Sequence, residues 1–353
     1  MKRLFYFILV YSGLILFSSY SSYACTAFLL GEQDQQLVAK SYDWNLKHGL
    51  LSINKRGLRK TSLGLYKTDI PIHWKSKFGS ITFNQYAIEF PVGGMNEAGL
   101  TAEVLWLNDT EYPDISPQKS VNELQWVSFM LDQFETIDEV IRASQSIRVS
   151  AIYGKVHYFV CDRFGDCGVF EFLNGHLVVN ASSRKMNSNF VKAITNNTYM
   201  ESLNTLEYYL PFGGKIPLPN DSSSLSRFAR AAATTIITDN TELLALAKNT
   251  LDSVASGSFS VWNIIYQPNQ QNLMYKTRFG KQIFRKIDLH KFDFSCSTPR
   301  KVLDIEVSGT NLESKFTDYN SSHNQYLIER SLSFLPLPVR SLIQNYPNTQ
   351  TCN

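Results

Sequence analysis

The chain has 353 residues, of which 44% are hydrophobic and 13% aromatic, and its 34 basic and 31 acidic side chains give a formal net charge of +3. The near-balance, without a basic stripe or an acidic tail, argues against a nucleic-acid partner and against an extended disordered tail. The length would permit two domains. No linker, repeat or low-complexity tract divides the chain, however, which favours one large domain.

The first 24 residues have the pattern of a secretory signal peptide. Lys2 and Arg3 precede an apolar run over residues 4–17, and the segment ends in Ser22-Tyr23-Ala24, with small residues at the −3 and −1 positions. The run is too short for a membrane anchor, which needs about 20 apolar residues. Cleavage after this segment makes Cys25 the N-terminal residue, lowers the formal charge to +1 and leaves no membrane span. The alternative is a lipoprotein with a lipidated Cys25, although the aliphatic residue usual three positions upstream is missing.

Strands and helices alternate along the rest of the chain. Strand patterns bounded by turn residues cover 26–30, 36–41, 84–90, 100–107, 156–161, 168–173, 176–180, 258–266, 273–277 and 282–288. Gly93–Gly99 and Asn174-Gly175 predict turns. Capping boxes at Ser120 and Thr136 predict two helix starts, and helical spacing continues at 227–237 and 242–254. Runs of antiparallel strands alternating with helix pairs predict an α+β domain of two sheets covered by helices.

The C-terminal part has a different character. Residues 306–323 are polar and predict a loosely held connection, and 324–344 predict a helical arm broken by Pro336 and Pro338. Such an arm would either clasp a neighbouring subunit or pack onto its own domain.

Five cysteines, an odd number, stand in a chain predicted to leave the reducing cytoplasm. Cys161 and Cys167 bracket a turn between two predicted strands, so a disulfide is expected there. Cys296 and Cys352 are candidates for a second bond that ties down the tail. Cys25 is then the unpaired residue, which indicates either a free reactive thiol or an intermolecular bridge.

An N-terminal cysteine can catalyse acyl transfer without a histidine. Its α-amino group has an ordinary pKa near 8, so it can take the proton from its own thiol, and the thiolate can attack an amide carbonyl. The histidines show neither a Cys/His protease context nor a metal-binding spacing and are expected at the surface or in the core: His48, His73, His157, His176, His290 and His323.

Several motifs resemble the choloylglycine hydrolase family, which contains penicillin V acylases and conjugated bile salt hydrolases. They occur in the family's order over residues 25–290: Cys25-Thr26-Ala27-Phe28, Lys40-Ser41-Tyr42-Asp43-Trp44, Gly94-Met95-Asn96-Glu97-Ala98-Gly99-Leu100, Thr195-Asn196-Asn197 and Ser226-Arg227-Phe228. Val104-Leu105-Trp106-Leu107 is most similar to the Gram-negative penicillin V acylase branch. The resemblance implies an N-terminal-nucleophile hydrolase with an αββα sandwich, with no metal and no cofactor.

The resemblance also implies roles for individual residues. Asp43 would orient the α-amino group of Cys25, Asn196 would donate its amide to the developing oxyanion, and Arg227 would stabilise the thiolate or the transition state. The structural alternatives are a turn cap for Asp43, a turn position for Asn196 and a surface cation for Arg227.

Two positions depart from the family pattern. Lys40 stands where most members carry an arginine, which keeps the charge but loses the bidentate guanidinium. Trp106 stands where bile salt hydrolases place an oxyanion asparagine, so a backbone N–H is expected as the second oxyanion donor. Trp44 and Trp106 together predict flat apolar walls and edge N–H donors for an aromatic or alkyl acyl group, although both indoles could also be ordinary core residues.

The sequence therefore predicts an exported amidohydrolase of linear, non-peptide amides, periplasmic or secreted, that resembles penicillin V acylase and acts on small N-acyl amides, acyl-homoserine lactones included. Residues 1–24 form its signal peptide, 25–305 its hydrolase domain, and 306–353 a tail that would clasp subunits if the protein forms a homotetramer. The alternatives are a conjugated bile salt hydrolase and, from another class, a lipid-anchored envelope protein that only binds its ligand.

Overall fold

A computed structural model describes residues 24–64, 66–183, 190–237, 242–279 and 282–352, so the predicted signal peptide, apart from Ala24, lies outside the described residues. The helices are α1 Gln125–Gln133, α2 Ile137–Ser144, α3 Tyr199–Leu206, α4 Ser224–Thr235, α5 Leu243–Ser253, α6 Ser321–Ser331 and α7 Leu337–Asn345. The strands are β1 Thr26–Leu30, β2 Leu37–Asp43, β3 Leu50–Asn54, β4 Leu58–Thr61, β5 Ile70–Pro71, β6 His73–Lys75, β7 Ser80–Asn84, β8 Gly93–Asn96, β9 Thr101–Trp106, β10 Lys119–Val121, β11 Arg148–Val149, β12 Val156–Cys161, β13 Cys167–Leu173, β14 His176–Ala181, β15 Ala193–Ile194, β16 Ser260–Gln267, β17 Asn272–Thr277, β18 Arg285–Asp288, β19 Lys301–Asp304, β20 Thr317–Asp318 and β21 Thr351–Cys352.

Two large antiparallel sheets pack face to face. The first has six strands in the order β15-β1-β2-β16-β17-β18, and the second has nine in the order β14-β13-β12-β9-β8-β7-β3-β19-β20. Phe83 of β7 meets Tyr266 of β16 and Tyr275 of β17 edge to face, with ring centroids 6.2 and 6.0 Å apart, so aromatic side chains fill the space between the sheets. Two small three-stranded sheets, β11-β10-β5 and β21-β4-β6, lie beside this sandwich.

Helices cover the outer faces of both sheets. The α4 and α5 helices contact β1 and β2 of the six-stranded sheet, and α1 contacts β8 and β9 of the nine-stranded sheet. On that second side Trp126 of α1 is fully buried and stacks on Tyr158 of β12 at 4.1 Å between ring centroids. The αββα layering confirms the predicted α+β fold class. None of the helices within the described ranges is long and apolar enough to cross a bilayer.

Three local predictions are wrong. Asn84–Phe90 is not a strand: β7 ends at Asn84, and the chain then turns through Glu89, whose φ is +75°. Gly93–Gly99 is not one turn, because residues 93–96 form the interior strand β8 and only the end of the segment turns. Ser120 does not begin a helix. It lies in β10, which pairs in parallel with β5 and β11, and α1 begins at Gln125.

Other local predictions agree with the structure. Thr136 and Glu139 form the expected capping box at the start of α2. Asn174 and Gly175 both have positive φ between β13 and β14, which is the conformation that a tight hairpin turn needs.

The structure brings both predicted cysteine pairs to bonding distance. Cys161 and Cys167 lie at facing positions of β12 and β13, and Cys296 lies against Cys352 at the C-terminal end. All five cysteines are within the described ranges, and Cys25 is the free one.

The tail packs onto its own domain. Asn324 of α6 is buried, accepts a hydrogen bond from Ile88 N (2.8 Å), and donates to the carbonyls of Ile343 (3.2 Å) and Gln344 (2.9 Å) in α7. The segment predicted as a loose connection contains β20, which pairs with β19 and joins the tail to the nine-stranded sheet.

Candidate active site

Cys25 and Asp43 meet because β1 and β2 pair in antiparallel register, with Thr26 opposite Ser41. Cys25, immediately before β1, is only 2% exposed, and its Sγ lies 3.7 Å from the backbone oxygen of Asp43 at the end of β2. Ala24 still precedes Cys25 here, so the Cys25 nitrogen is a peptide nitrogen. The free thiol thus lies inside the sandwich, beside a carboxylate and at the predicted cleavage point.

The Cys25 thiol is protonated at neutral pH in this chain. Its pKa is raised to about 11, chiefly by burial and also by the charge of Asp43, against the lowering effects of Lys40 and Arg227. Two cations therefore already surround the sulfur. What this form lacks is a base, which the freed α-amino group would supply.

The Asp43 carboxylate has one satisfied and one unsatisfied oxygen. Oδ1 accepts a hydrogen bond from Ser41 Oγ (2.7 Å), whereas the buried Oδ2 has no partner among the described residues. Burial raises the pKa of Asp43 to about 6, against the lowering effect of Arg227. A buried carboxylate oxygen without a donor is costly, so the site is suited to a donor that is absent while Ala24 is attached.

Arg227 is a buried cation and not the surface residue of the structural alternative. It lies on α4 and is 0% exposed, and its Nη1 donates to Cys25 O (2.8 Å), to Thr26 Oγ1 (2.7 Å) and to Ala24 O. Burial lowers its pKa to about 10, which leaves the guanidinium charged at neutral pH. This side chain therefore holds the backbone on both sides of the Ala24–Cys25 bond.

Asn196 connects the site to the second sheet. Its Nδ2 donates to the backbone oxygen of Trp106 (2.7 Å), and its Oδ1 accepts from Arg227 Nη2 (3.1 Å). An amide nitrogen has two protons, and one of them is used by Trp106. The orientation of Asn196 is therefore set from both sides, by β9 and by α4.

Lys40 keeps its charge near Cys25 but directs its ammonium group elsewhere. The buried Nζ donates to the carbonyls of Val92 (2.9 Å) and Val104 (2.8 Å) and forms an ion pair with Glu103 Oε2 at 2.6 Å. Two hydrogen bonds and one ion pair thus engage the ammonium group away from the sulfur. Lys40 therefore acts on the thiol as a charge and not as a hydrogen-bond donor.

Trp44 and Trp106 lie together at a cavity that also reaches Cys25. Their ring centroids are 5.8 Å apart, both side chains are partly exposed, and the cavity has a volume of about 360 Å³. The indole Nε1 of Trp106 donates to Asn108 Oδ1 (2.7 Å), so this edge N–H is not directed at a ligand, contrary to the sequence-based expectation. Trp106 therefore offers the face of its ring to the cavity.

Sequence reasoning missed two groups that hold the site. Glu103, the partner of Lys40, was hidden because a buried acid on an apolar strand has no local signature. His157, which the sequence analysis expects at the surface or in the core without a role, is buried, and its Nε2 lies 2.8 Å from the backbone oxygen of Thr195, next to Asn196. Sequence reasoning also missed that the tail lines the cavity, through residues that include Leu332 and Leu335. No cluster of three or more potential metal ligands occurs in the described part of the chain.

A family of enzymes matches the part of the chain that contains Cys25 and the residues around it. The model of the linear amide C–N hydrolases, choloylglycine hydrolase family, matches residues 25–254, which is more than half of the chain. The protein belongs to the choloylglycine hydrolase family. The matched segment begins at Cys25 and contains Lys40, Asp43, Asn196 and Arg227.

Similar proteins of known structure or activity agree with this membership. Penicillin V acylase of Pectobacterium atrosepticum is 27% identical over 232 residues, which is 60% of this chain and 59% of that protein. The structure of penicillin V acylase from Agrobacterium tumefaciens matches with a TM-score of 0.72 and 24% identity over 84% of this chain and 98% of the other. A variant of conjugated bile acid hydrolase from Clostridium perfringens matches with a TM-score of 0.65 and 17% identity, over 81% and 98% of the two chains. At these identities the two structures establish the shared fold.

Proposed function

We propose that this protein is an exported acylase that hydrolyses small N-acyl amides in the manner of penicillin V acylase, with the thiolate of Cys25 as the nucleophile. The observation that carries the proposal is the buried free thiol at the predicted cleavage point, beside the unsatisfied Oδ2 of Asp43. Cleavage after Ala24 supplies at this position both the missing hydrogen-bond donor and the missing base.

The freed α-amino group activates the thiol. Its nitrogen takes the proton of Cys25 Sγ, directly or through one water molecule, and Asp43 Oδ2 accepts a hydrogen bond from the resulting ammonium group. The charges of Lys40 and Arg227 favour the thiolate. An anion beside the amine also favours its protonated form. Asp43 therefore orients the α-amino group, but it also reduces the fraction of neutral amine that can accept the thiol proton.

The amide bond is then broken in two steps. The sulfur attacks the carbonyl carbon, and the oxygen becomes an oxyanion that the second N–H of Asn196 and a backbone N–H stabilise. The carbon–nitrogen bond breaks as the α-ammonium group returns its proton to the leaving amine, which leaves a thioester on Cys25. Water, deprotonated by the same amine, adds to the thioester and releases the carboxylic acid and the thiol. Loss of one oxyanion donor costs about 2.7–4 kcal/mol in comparable sites.

The cavity favours an apolar acyl group. Trp44 and Trp106 present ring faces beside Cys25, and flat apolar walls suit an aromatic or alkyl chain. Phenoxyacetyl amides such as penicillin V and long-chain acyl-homoserine lactones fit this description better than a rigid sterol does. A conjugated bile salt hydrolase is therefore the less favoured activity.

The alternative of a lipid anchor at Cys25 is disfavoured by burial. A lipidated cysteine must lie at the surface so that its acyl chains can enter a bilayer, whereas Cys25 is 2% exposed. We accordingly propose a periplasmic or secreted enzyme. The homotetramer expected from the family stays a prediction, which light scattering of the purified protein would check.

The first experiment measures the amine released by the purified mature protein from penicillin V, a long-chain acyl-homoserine lactone and glycocholate, beside a Cys25→Ala variant. Turnover of the first two that is lost in the variant supports the nucleophile and the acyl preference together. Intact mass of the same preparation reports whether the chain begins at an unmodified Cys25.

Preference for glycocholate would overturn the argument from Trp106. A lipid adduct on Cys25 would overturn the hydrolase mechanism itself, because its amine and thiol would both be blocked. Turnover that persists in Cys25→Ala would assign the chemistry to another residue.

A further inference from the structure

The cavity beside Cys25 has a wall that comes from outside the segment matched by the family. The family match ends at residue 254, yet the cavity is also lined by Ser331, Leu332, Phe334, Leu335 and Ile343. These residues belong to the end of α6, the turn that follows it, and α7. The C-terminal tail therefore contributes to the site at which the acyl group is expected.

The tail is firmly attached to the wall of the cavity. Ser331 Oγ donates to the carbonyl of Tyr86 (3.3 Å), and Asn324 binds the backbone of both Ile88 and α7. Leu332 is 9% exposed and packs in a cluster with Ala87 and Phe90. Buried contacts of α6 and of Leu332 thus attach the start of the turn over residues 332–335 to the rest of the domain.

Aromatic rings join the tail to the tryptophan pair. Trp106 lies 6.2 Å from Tyr153, and Tyr153 lies 5.1 Å from Phe334, measured between ring centroids. Tyr153 is 64% and Phe334 57% exposed, so these two rings stand at the solvent side. With Trp44 they make a continuous aromatic border from the neighbourhood of Cys25 to the tail.

Two buried polar side chains of the lining, Glu123 and Asn122, are already engaged by the protein. Both oxygens of Glu123 accept from backbone N–H groups of Ile152, Tyr153 and Gly154 at 2.9 to 3.0 Å. Asn122 Oδ1 accepts from Leu124 N (2.9 Å). These two buried side chains therefore offer no free group to a charged acyl terminus, and Arg330, the cation of the lining, is exposed and lies over the ring of Tyr326. The volume of about 360 Å³ exceeds twice the roughly 150 Å³ of a cavity that holds benzene.

We propose that the turn over residues 332–335 is a specificity-determining wall of the acyl pocket, which limits the length of an uncharged alkyl or aryl-alkyl acyl group. The inference rests on the proposed function. Leu335 is the residue best placed to test this proposal. It lines the cavity, is only partly buried and lies outside the segment that the family model matches.

The test compares Leu335→Ala, which widens the pocket, with Leu335→Trp, which fills it. The matched control is Leu342→Ala, a leucine of α7 that is 54% exposed and does not line the cavity. The kcat/KM of each variant is measured on butanoyl, octanoyl and dodecanoyl amides of one amine. We expect the dodecanoyl-to-butanoyl ratio to rise about tenfold in Leu335→Ala, to fall about tenfold in Leu335→Trp, and to stay unchanged in Leu342→Ala.

A second measurement separates this proposal from the proposed function. In a Cys25→Ala background, binding of butanoate and dodecanoate is measured by calorimetry with each variant, which needs no turnover. Shifts in affinity in the same two directions support the wall even if every amide tested proves inert. The proposal would be overturned if both Leu335 variants had the same chain-length preference. It would also be overturned if Leu342→Ala shifted that preference as much as Leu335→Ala does.

Discussion

Lys40 and Glu103 form an ion pair between the two sheets of the sandwich, with Nζ and Oε2 2.6 Å apart and both side chains buried. Lys40 lies on β2 and Glu103 on β9, and Tyr266 donates its hydroxyl to the other oxygen of Glu103. Burial raises the pKa of Glu103, whereas the neighbouring lysine lowers it. Lys40, which stands in place of the usual family arginine, therefore needs the Glu103 carboxylate as its counter-charge.

Removing one member of this pair is expected to be far more destructive than removing both. Lys40→Met should lower the free energy of unfolding by about 3–5 kcal/mol, because it leaves the Glu103 carboxylate buried without a counter-charge. Lys40→Met combined with Glu103→Leu should recover most of that loss. Urea denaturation of the two single variants and the double variant measures the coupling.

Activity separates the charge of Lys40 from its structural role. The stable double variant should still show a lower kcat/KM and a higher thiol pKa than the native protein, because the cation beside Cys25 is gone. A double variant with native thiol reactivity would show that Lys40 only holds the two sheets together.

The reactivity of Cys25 should depend on whether Ala24 is attached. With the peptide bond intact the thiol has a pKa of about 11, so only about one molecule in a thousand is a thiolate at about pH 8. A variant that retains Ala24 should therefore react with iodoacetamide at least about tenfold more slowly than the chain that begins at Cys25. Its rate should continue to rise up to about pH 11. Identical pH profiles for the two forms would contradict this account.

The Asp43 carboxyl makes the stability of the uncleaved form depend on pH. The pKa of Asp43 is about 6 in the folded chain against the ordinary aspartate value of 3.8, so the folded state binds the proton more tightly than the unfolded state. The contribution of Asp43 to the free energy of unfolding is therefore most favourable below about pH 4. It falls as the pH rises towards about 6, by about 3 kcal/mol for a difference of about two pKa units.

Urea denaturation of the Ala24-retaining form at a series of pH values tests this dependence, with Asp43→Asn as the control that should lack the component. The chain that begins at Cys25 should show a smaller fall, because its α-ammonium group can donate to Oδ2. An unchanged slope in Asp43→Asn would assign the pH dependence to another group.

His157 is expected to position the oxyanion donor. Its Nε2 contacts Thr195 O at 2.8 Å and its Nδ1 lies 3.2 Å from Glu171 Oε1, and Asn196 follows Thr195 directly. His157→Phe should lower kcat about tenfold with little change in KM, since the displaced group serves the transition state more than the bound substrate. His157→Gln, which retains a donor, should recover part of the loss.

A double-variant cycle distinguishes positioning from general damage to the core. In an Asn196→Ala background the substitution of His157 should have little further effect on kcat, because its target is gone. Full additivity of the two substitutions would assign His157 a purely structural role.

The two cysteine pairs should contribute unequally to stability. Loop-closure entropy predicts a loss of about 4 kcal/mol when the Cys296–Cys352 bond, with a separation of 56 residues, is replaced by alanines. The same estimate for the Cys161–Cys167 bond, with a separation of 6, is about 2 kcal/mol. Chemical denaturation measures both losses.

Acyl-chain preference provides the second measurement for these variants. Loss of the Cys296–Cys352 bond should loosen the tail and relax chain-length preference, whereas loss of the other bond should leave preference unchanged. If chain-length preference changed only when the Cys161–Cys167 bond was removed, the Cys296–Cys352 bond would have no role in shaping the pocket.

The sequence by itself determined the features that arise over short stretches of chain. Strand patterns bounded by turn residues located β1, β12 and β14 almost to the residue. The Thr136 capping box and the Asn174-Gly175 turn were identifiable because their hydrogen bonds are local. The order of the motifs that begin at Cys25 was sufficient for the family.

Tertiary contacts decided the rest, because they involve residues far apart in the chain. The segment predicted as the strand Asn84–Phe90 turns instead, and within it Glu89 forms buried ion pairs with Lys60 and Arg300. Ser120 lies in a strand because the backbone of distant β5 and β11 pairs with it. The cavity beside Cys25 likewise exists only where β2, β9 and the C-terminal tail meet, since no segment alone can enclose a cavity and bury the charges beside it.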